Sequence, residues 1–232
     1  MKLSSTIVIC TILAGFTSQL VAQSTVSQDI HIMRGEQSQR KVTTISGDVS
    51  IGSDAEVKAS ITTVSGDIEI GAKAKVENIS SVSGDISIGK KARTRDLESV
   101  SGDIHLYPRS IVHGSIEVVS GDITCETGTD IRESVSTVSG DIELDDTRLR
   151  EHLETVSGDI SLFNGAIIEG DIIISRRANL SSVNRGRLKV IIDMNSVVKG
   201  NIRVEEPNTN VIVYLTNGGK VKGKIINAEI RK

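Results

Sequence analysis

Eight aspartates recur at near-constant intervals: Asp29, Asp48, Asp67, Asp85, Asp103, Asp122, Asp141 and Asp159, in steps of 19, 19, 18, 18, 19, 19 and 18 residues. From the third onward each sits in a five-residue unit, Val-Ser-Gly-Asp-Ile, as in Val64–Ile68, and the second sits in the variant Ile45-Ser46-Gly47-Asp48-Val49. The first is the degenerate copy Val26-Ser27-Gln28-Asp29-Ile30. If the copies stack, the acids form a row, and carboxylates ~4.8 Å apart repel by about 0.9 kcal/mol even at water's dielectric. Something must offset that repulsion. One answer is that each Asp accepts hydrogen bonds inside its own corner, from the Ser hydroxyl or backbone N–H groups. Another is that the row Asp48, Asp67, Asp85, Asp103, Asp122, Asp141 and Asp159 holds divalent cations such as Ca²⁺, which prefer oxygen ligands. The first answer is the expectation; the row is the candidate metal site.

Two hydroxyl rows accompany the acids. Ser27, Ser46, Ser65, Ser83, Ser101, Ser120, Ser139 and Ser157 form one; Thr25, Thr44, Thr63, Ser81, Ser99, Thr137 and Thr155 form the other, broken by Val118. They flank the motif Val, which is expected to point inward. Such Thr-x-Ser ladders also suit a flat ice-binding face, although the adjoining carboxylates make that a poor template. The recurrent Gly supplies positive φ or close backbone approach at a corner.

Catalytic chemistry is poorly served. Glycosidic hydrolysis needs two carboxylates at a set separation with one pKa shifted, and here every copy repeats the same acid. Asp145-Asp146 is the only local departure and reads as a solvated corner. His31, His105, His113 and His152 are scattered, with His31 and His105 in one outward row four copies apart. No catalytic, cofactor-binding or phosphate-cradling residues are assigned. Cys125 stands where other copies place Ile or Leu, as a small buried hydrophobe.

The elements that position these rows follow from the pattern around each Asp. Ile68-Glu69-Ile70 alternates as a half-buried strand does. A second short segment ends at Val57, Val76, Val112 or Ile131. A third apolar position falls six residues before the next Asp: Val42, Ile61, Ile79, Leu97, Ile116, Val135 and Leu153. Aromatics are only 2% of the chain, so the core must be aliphatic and β-branched, which suits strands. The class predicted is all-β: a single-stranded parallel β-helix, right-handed, with about ten or eleven coils of 18–19 residues and a length of roughly 50 Å.

After Asp159 the motif stops, but a second-corner pattern continues through Gly170, Gly200 and Gly223 in steps of 30 and 23. Coils therefore continue with insertions, placed at Ser175–Arg187 (Arg176, Arg177, Arg185, Arg187) and at Glu205–Thr209. The predicted organisation is a signal peptide over 1–22, regular coils over 23–174, and irregular coils ending in a charged cap over 175–232. Lys2, the apolar run Ile7–Leu13 and Leu20-Val21-Ala22 read as a secretory leader, since the run is shorter than the ~20 residues of a membrane span. The expected location is periplasm, outer surface or extracellular space, with no transmembrane span after cleavage. A formal charge of −3 gives no reason to expect nucleic acid.

The Val-Ser-Gly-Asp-Ile units resemble the bacterial family of β-strand-repeat proteins read as adhesins. The segments Ile111–Ile116, Val197–Ile202 and Val221–Ile225 are similar to coils of bactofilins, polymer-forming β-helical proteins. The resemblance implies a structural or adhesive, non-enzymatic role, with polysaccharide or envelope components as partners and end-to-end self-association. The alternatives are a carbohydrate-active β-helix enzyme and, less favoured, a cation- or ice-binding solenoid.

Overall fold

The computed structural model describes residues 23–25, 27–175, 187–207 and 210–232. Each regular coil contributes three short strands, as in Ile61–Ser65, Ile68–Ile70 and Lys75–Val76. Equivalent strands of successive coils pair in parallel, giving three sheets of 11, 11 and 10 strands in strict chain order. These are called here the first, second and third sheet. Among the described residues there is no helix, and none long and apolar enough to cross a membrane.

Register follows the repeat. Ile79 pairs with Ile61 on one side and Leu97 on the other, and Ile86 with Ile68 and Ile104. The apolar positions thereby stack into files. Ile61, Ile79, Leu97, Ile116, Val135 and Leu153 are all fully buried, as are Ile86, Ile104, Ile123 and Ile160. Full burial of such a side chain is worth about 1.5–3 kcal/mol, and no aromatic ring is needed to fill the tube. Cys125 sits between Leu106 and Leu144 with no exposure, as a free thiol.

The turn after the second sheet is lined by small buried residues: Ala55, Ala74, Ala92, Ser110, Thr129 and Thr147. Just before this file lies a left-handed one, in which Asp54, Lys73, Lys91 and Arg109 take φ near +60°.

One orientation differs from expectation. The motif Val points out, not in: Ile45, Val64, Val82, Val100, Val119 and Val138 are 43–49% exposed. Thr44, Thr63, Ser81, Ser99, Val118, Thr137 and Thr155 take the inward place. Strand alternation counted from Ile61 sends Thr63 inward and Val64 outward. The Ser-Gly corner then resets the phase, so Ile68 is buried again. Counting back from Ile68 without that reset turns the motif Val inside out.

The later coils keep the frame. Ile167 pairs with Val197 and Val197 with Lys220, and Gly200 N–H donates to the Gly170 carbonyl at 3.1 Å. Both insertions open where a first-sheet strand passes to the second sheet: between Ile172–Ile174 and Leu188–Ile192, and between Ile202–Val204 and Val211–Leu215. That is the corner occupied by Ser-Gly-Asp in the regular coils. Residues 176–186, which include Arg176, Arg177 and Arg185, lie outside the described residues, as do 208–209 and the leader 1–22. The charged tail forms the exposed strand Glu229–Arg231, paired with Val211–Leu215.

Candidate functional site

The aspartates do stack in one file, and the structure shows what holds them there. Each Oδ1 accepts the backbone N–H of the Asp in the next coil. The distances are 3.0 Å for Asp48 N to Asp29, 2.9 Å for Asp67 to Asp48, 2.8 Å for Asp122 to Asp103, and 2.7 Å for Asp159 to Asp141. Lys189 N closes the file on Asp159 at 2.8 Å. The expectation of bonding within each corner is therefore corrected: the acceptor serves the neighbouring coil. A hydrogen bond to an ionised acceptor is stronger than a neutral one, which offsets the repulsion along the row. Lys189 Nζ also lies 3.6 Å from Asp159 Oδ2. Among the described residues, no group of three or more His, Cys, Asp or Glu side chains could hold a metal ion.

A second ladder of the same kind runs along the other corner, where sequence reasoning did not look. Ser115 N donates to Asp96 Oδ1 (3.1 Å), Asn201 N to Asp171 Oδ1 (2.7 Å) and Lys224 N to Asn201 Oδ1 (2.9 Å). His152 Nδ1 takes the acceptor's place for Asp171 N at 3.0 Å. The available signal was a polar side chain directly before each apolar position, at Asp96, His152, Asp171 and Asn201.

The motif glycines are required by close approach. A Cβ on Gly66 would collide with the Gly47 carbonyl, and one on Gly102 with that of Gly84.

The two hydroxyl rows separate. Ser65, Ser83, Ser101 and Ser120 are exposed. The Thr row is interior, which overturns the flat Thr-x-Ser face considered for ice binding. Thr44 Oγ1 accepts Gly47 N–H at 3.1 Å, and the Ser81 and Ser99 hydroxyls donate to the Gly84 and Gly102 carbonyls at 3.2 Å. Thr63, Thr137 and Thr155 carry buried hydroxyls without a partner among the described residues.

What reaches solvent on the first sheet is an apolar file between a mixed file of hydroxyls and glutamates and the acidic Asp file. Two residues before each Val comes the outward series Thr43, Thr62, Ser80, Glu98, Glu117, Ser136 and Glu154, aligned by the sheet register. Three residues after each Val comes the Asp file. The shallow groove over Val82, Val100, Val119, Val138 and Val156 has Glu98, Glu117 and Glu154 on its border and, among the described residues, no Lys or Arg in its lining. Ser80 Oγ bonds Glu98 Oε2 at 3.1 Å. None of the three glutamates has a basic partner among the described residues.

The remaining titratable groups are placed singly. His31 and His105 share the second sheet's outward file, with Ser50, Glu69 and Ser87 between them. His105 Nε2 meets Glu126 Oε1 at 2.6 Å. Asp145 accepts from Asn164 Nδ2 at 2.6 Å and Thr127 Oγ1 at 3.2 Å, while Asp146 is exposed at φ 42°. Hydrogen bonds from Lys199 and then Arg148 hold the Glu169 carboxyl below its usual range, tying three coils together. Burial pushes the Cys125 thiol up to about 12.

The Toastrack DUF4097 family model matches the chain twice, over residues 12–126 and 76–211. No curated protein and no solved structure matches it significantly. The two matched segments overlap and together cover most of the sequence, through the same coils whose register is described above. The chain belongs to the Toastrack DUF4097 family.

Proposed function

We propose that this chain is an exported, non-catalytic β-solenoid that acts as a structural or adhesive element of the cell envelope or extracellular space. The observation that carries the reading is the unbroken outward file Ile45, Val64, Val82, Val100, Val119 and Val138, each similarly exposed and followed by the Asp file. A rod that repeats one surface composition coil after coil offers many equivalent weak contacts, and multivalent contact gains strength without any specialised pocket. The leader-like residues 2–22 support export. Polysaccharide or other envelope components are the partners this reading favours, with end-to-end self-association as a further means of building structure.

The test joins location to binding. The expressed chain is recovered by cell fractionation and its N-terminus read by mass spectrometry. The purified protein is then screened on a glycan array and on peptidoglycan sacculi, with reducing ends measured in parallel. A start at Gln23 outside the cytoplasm, with saturable binding and no new reducing ends, is the expected result. Turnover of an acidic polysaccharide would replace this reading with the enzyme, and retention of an uncleaved chain in the cytoplasm would remove it.

A further inference from the structure

We infer that the groove along the first sheet docks a cationic amphipathic helix of a partner protein, laid parallel to the solenoid axis. This rests on the reading of the chain as a binding scaffold and names the partner class for that face.

The apolar file is the starting point. Contiguous exposed apolar surface rimmed by polar groups marks an interaction site in a soluble protein. Strand propensity alone does not account for it. The adjacent outward file of the same strands is polar throughout the same coils, with Thr62, Ser80, Glu98, Glu117, Ser136 and Glu154. The Val positions are thus kept apolar where Thr would serve the sheet equally well.

Charge selects the occupant. Glu98, Glu117 and Glu154 border the file on one side, and Asp103, Asp122 and Asp141 on the other, with Asp159 at the end of that side paired to Lys189. Among the described residues the lining holds no Lys or Arg. A second copy applied through this face would set carboxylates against carboxylates, and an anionic polysaccharide would meet the same field. A cationic partner is favoured by both rails at once, which speeds encounter and fixes orientation.

Spacing selects a helix. Successive Val side chains rise by about 4.8 Å per coil. A helix laid along the axis returns its apolar stripe every ~5.4 Å, whereas an extended strand repeats a face every ~6.8 Å. The mismatch with a helix accumulates to only about 3 Å over the five steps from Val64 to Val156. Those steps span ~24 Å, or about 16 helical residues at 1.5 Å each. An incoming strand would need a free sheet edge, and this face is the middle of a sheet. The partner segment is therefore a helix of about four turns, with aliphatic residues at i, i+3, i+4 and i+7 and Lys or Arg along both flanks.

The experiment uses the purified chain and three fluorescein-labelled 16-residue peptides. One is an amphipathic Leu/Lys helix, one a scrambled sequence of identical composition, and one the same helix with Glu for Lys. Anisotropy should show saturable one-to-one binding of the first, at least 10-fold weaker binding of the second and none of the third. Added salt should weaken the first. The triple variant Val82→Thr/Val100→Thr/Val119→Thr, checked for an unchanged strand spectrum and urea midpoint, should lose at least 10-fold. Glu98→Gln/Glu117→Gln should flatten the salt dependence. Equal binding of helix and scramble, or full binding by the triple Thr variant, overturns the proposal. Concentration-dependent light scattering that the triple variant abolishes would assign the face to a second copy instead. Glycan binding that persists without peptide binding removes this inference and leaves the scaffold reading in place. Polysaccharide turnover removes that reading itself.

Discussion

Replacing Asp103 by Asn and by Ala separates the two things its carboxylate does. It accepts the Asp122 N–H at 2.8 Å, and it stands one coil from the carboxylates of Asp85 and Asp122. The two neighbours repel it by about 1.7 kcal/mol unscreened at water's dielectric and ~4.8 Å. At physiological salt, with a Debye length of ≈ 8 Å, that falls to about 1 kcal/mol. Asn keeps an acceptor but trades a charge-assisted bond for a neutral one, a loss of about 1 kcal/mol. The two changes nearly cancel. At 0.01 M salt Asp103→Asn is expected to stabilise by about 0.5 kcal/mol, and at 1 M to destabilise by a similar or somewhat larger amount, so the sign reverses with salt. Asp103→Ala gains the same electrostatic relief but leaves the Asp122 N–H without its partner. It should lie below the Asn variant by about 1 kcal/mol at every salt concentration. The chain already contains the Asn solution, since Asn201 Oδ1 accepts Lys224 N–H at 2.9 Å in the second ladder. Urea unfolding followed by far-UV circular dichroism at the three salt concentrations measures all of this. Equal stabilities for Asn and Ala throughout would show that the inter-coil bond contributes nothing. An Asn loss independent of salt would show that the row's charges do not repel.

The interior hydroxyls and the thiol carry further expectations. Thr63→Val, Thr137→Val and Thr155→Val should each raise stability by about 1 kcal/mol, because they replace a buried hydroxyl without a partner by a methyl of the same shape. Val118 already occupies that file, and Thr44→Val should lower stability because its Oγ1 holds Gly47 N–H. Parallel shifts for Thr44 and Thr63 would refute the distinction. Cys125, raised to about 12 from 9.0 by burial, should resist Ellman's reagent at pH 8 until urea unfolds the chain. The unfolded thiol ionises first, so the stability it confers is complete below its unfolded pKa. It is lost as pH climbs from 9.0 toward about 12. Rapid labelling of the folded protein would overturn this.

Much of the architecture was readable from spacing because a coil of constant circumference needs a constant number of residues. The stacking of Val42 through Leu153, the place of Cys125, and the pairing of Gly170 with Gly200 and Gly223 all follow from counting. The candidate face was less readable. Its residues were known, but whether Val64 or Thr63 faces solvent depends on how the Ser65-Gly66 corner resets strand alternation, and a corner has no period of its own. The acid row was visible as a row, yet its partners lie 18–19 residues away in the next coil, with no local mark in the sequence.

By itself, then, the sequence determined the coil, its register and the aliphatic filling, since these need only a repeat length and a pattern of side-chain types. The tertiary structure decided which side of the wall each motif residue occupies and which atoms restrain the acids. Both depend on backbone direction at a corner and on contact between coils, and neither is a property of any residue taken with its neighbours in the chain.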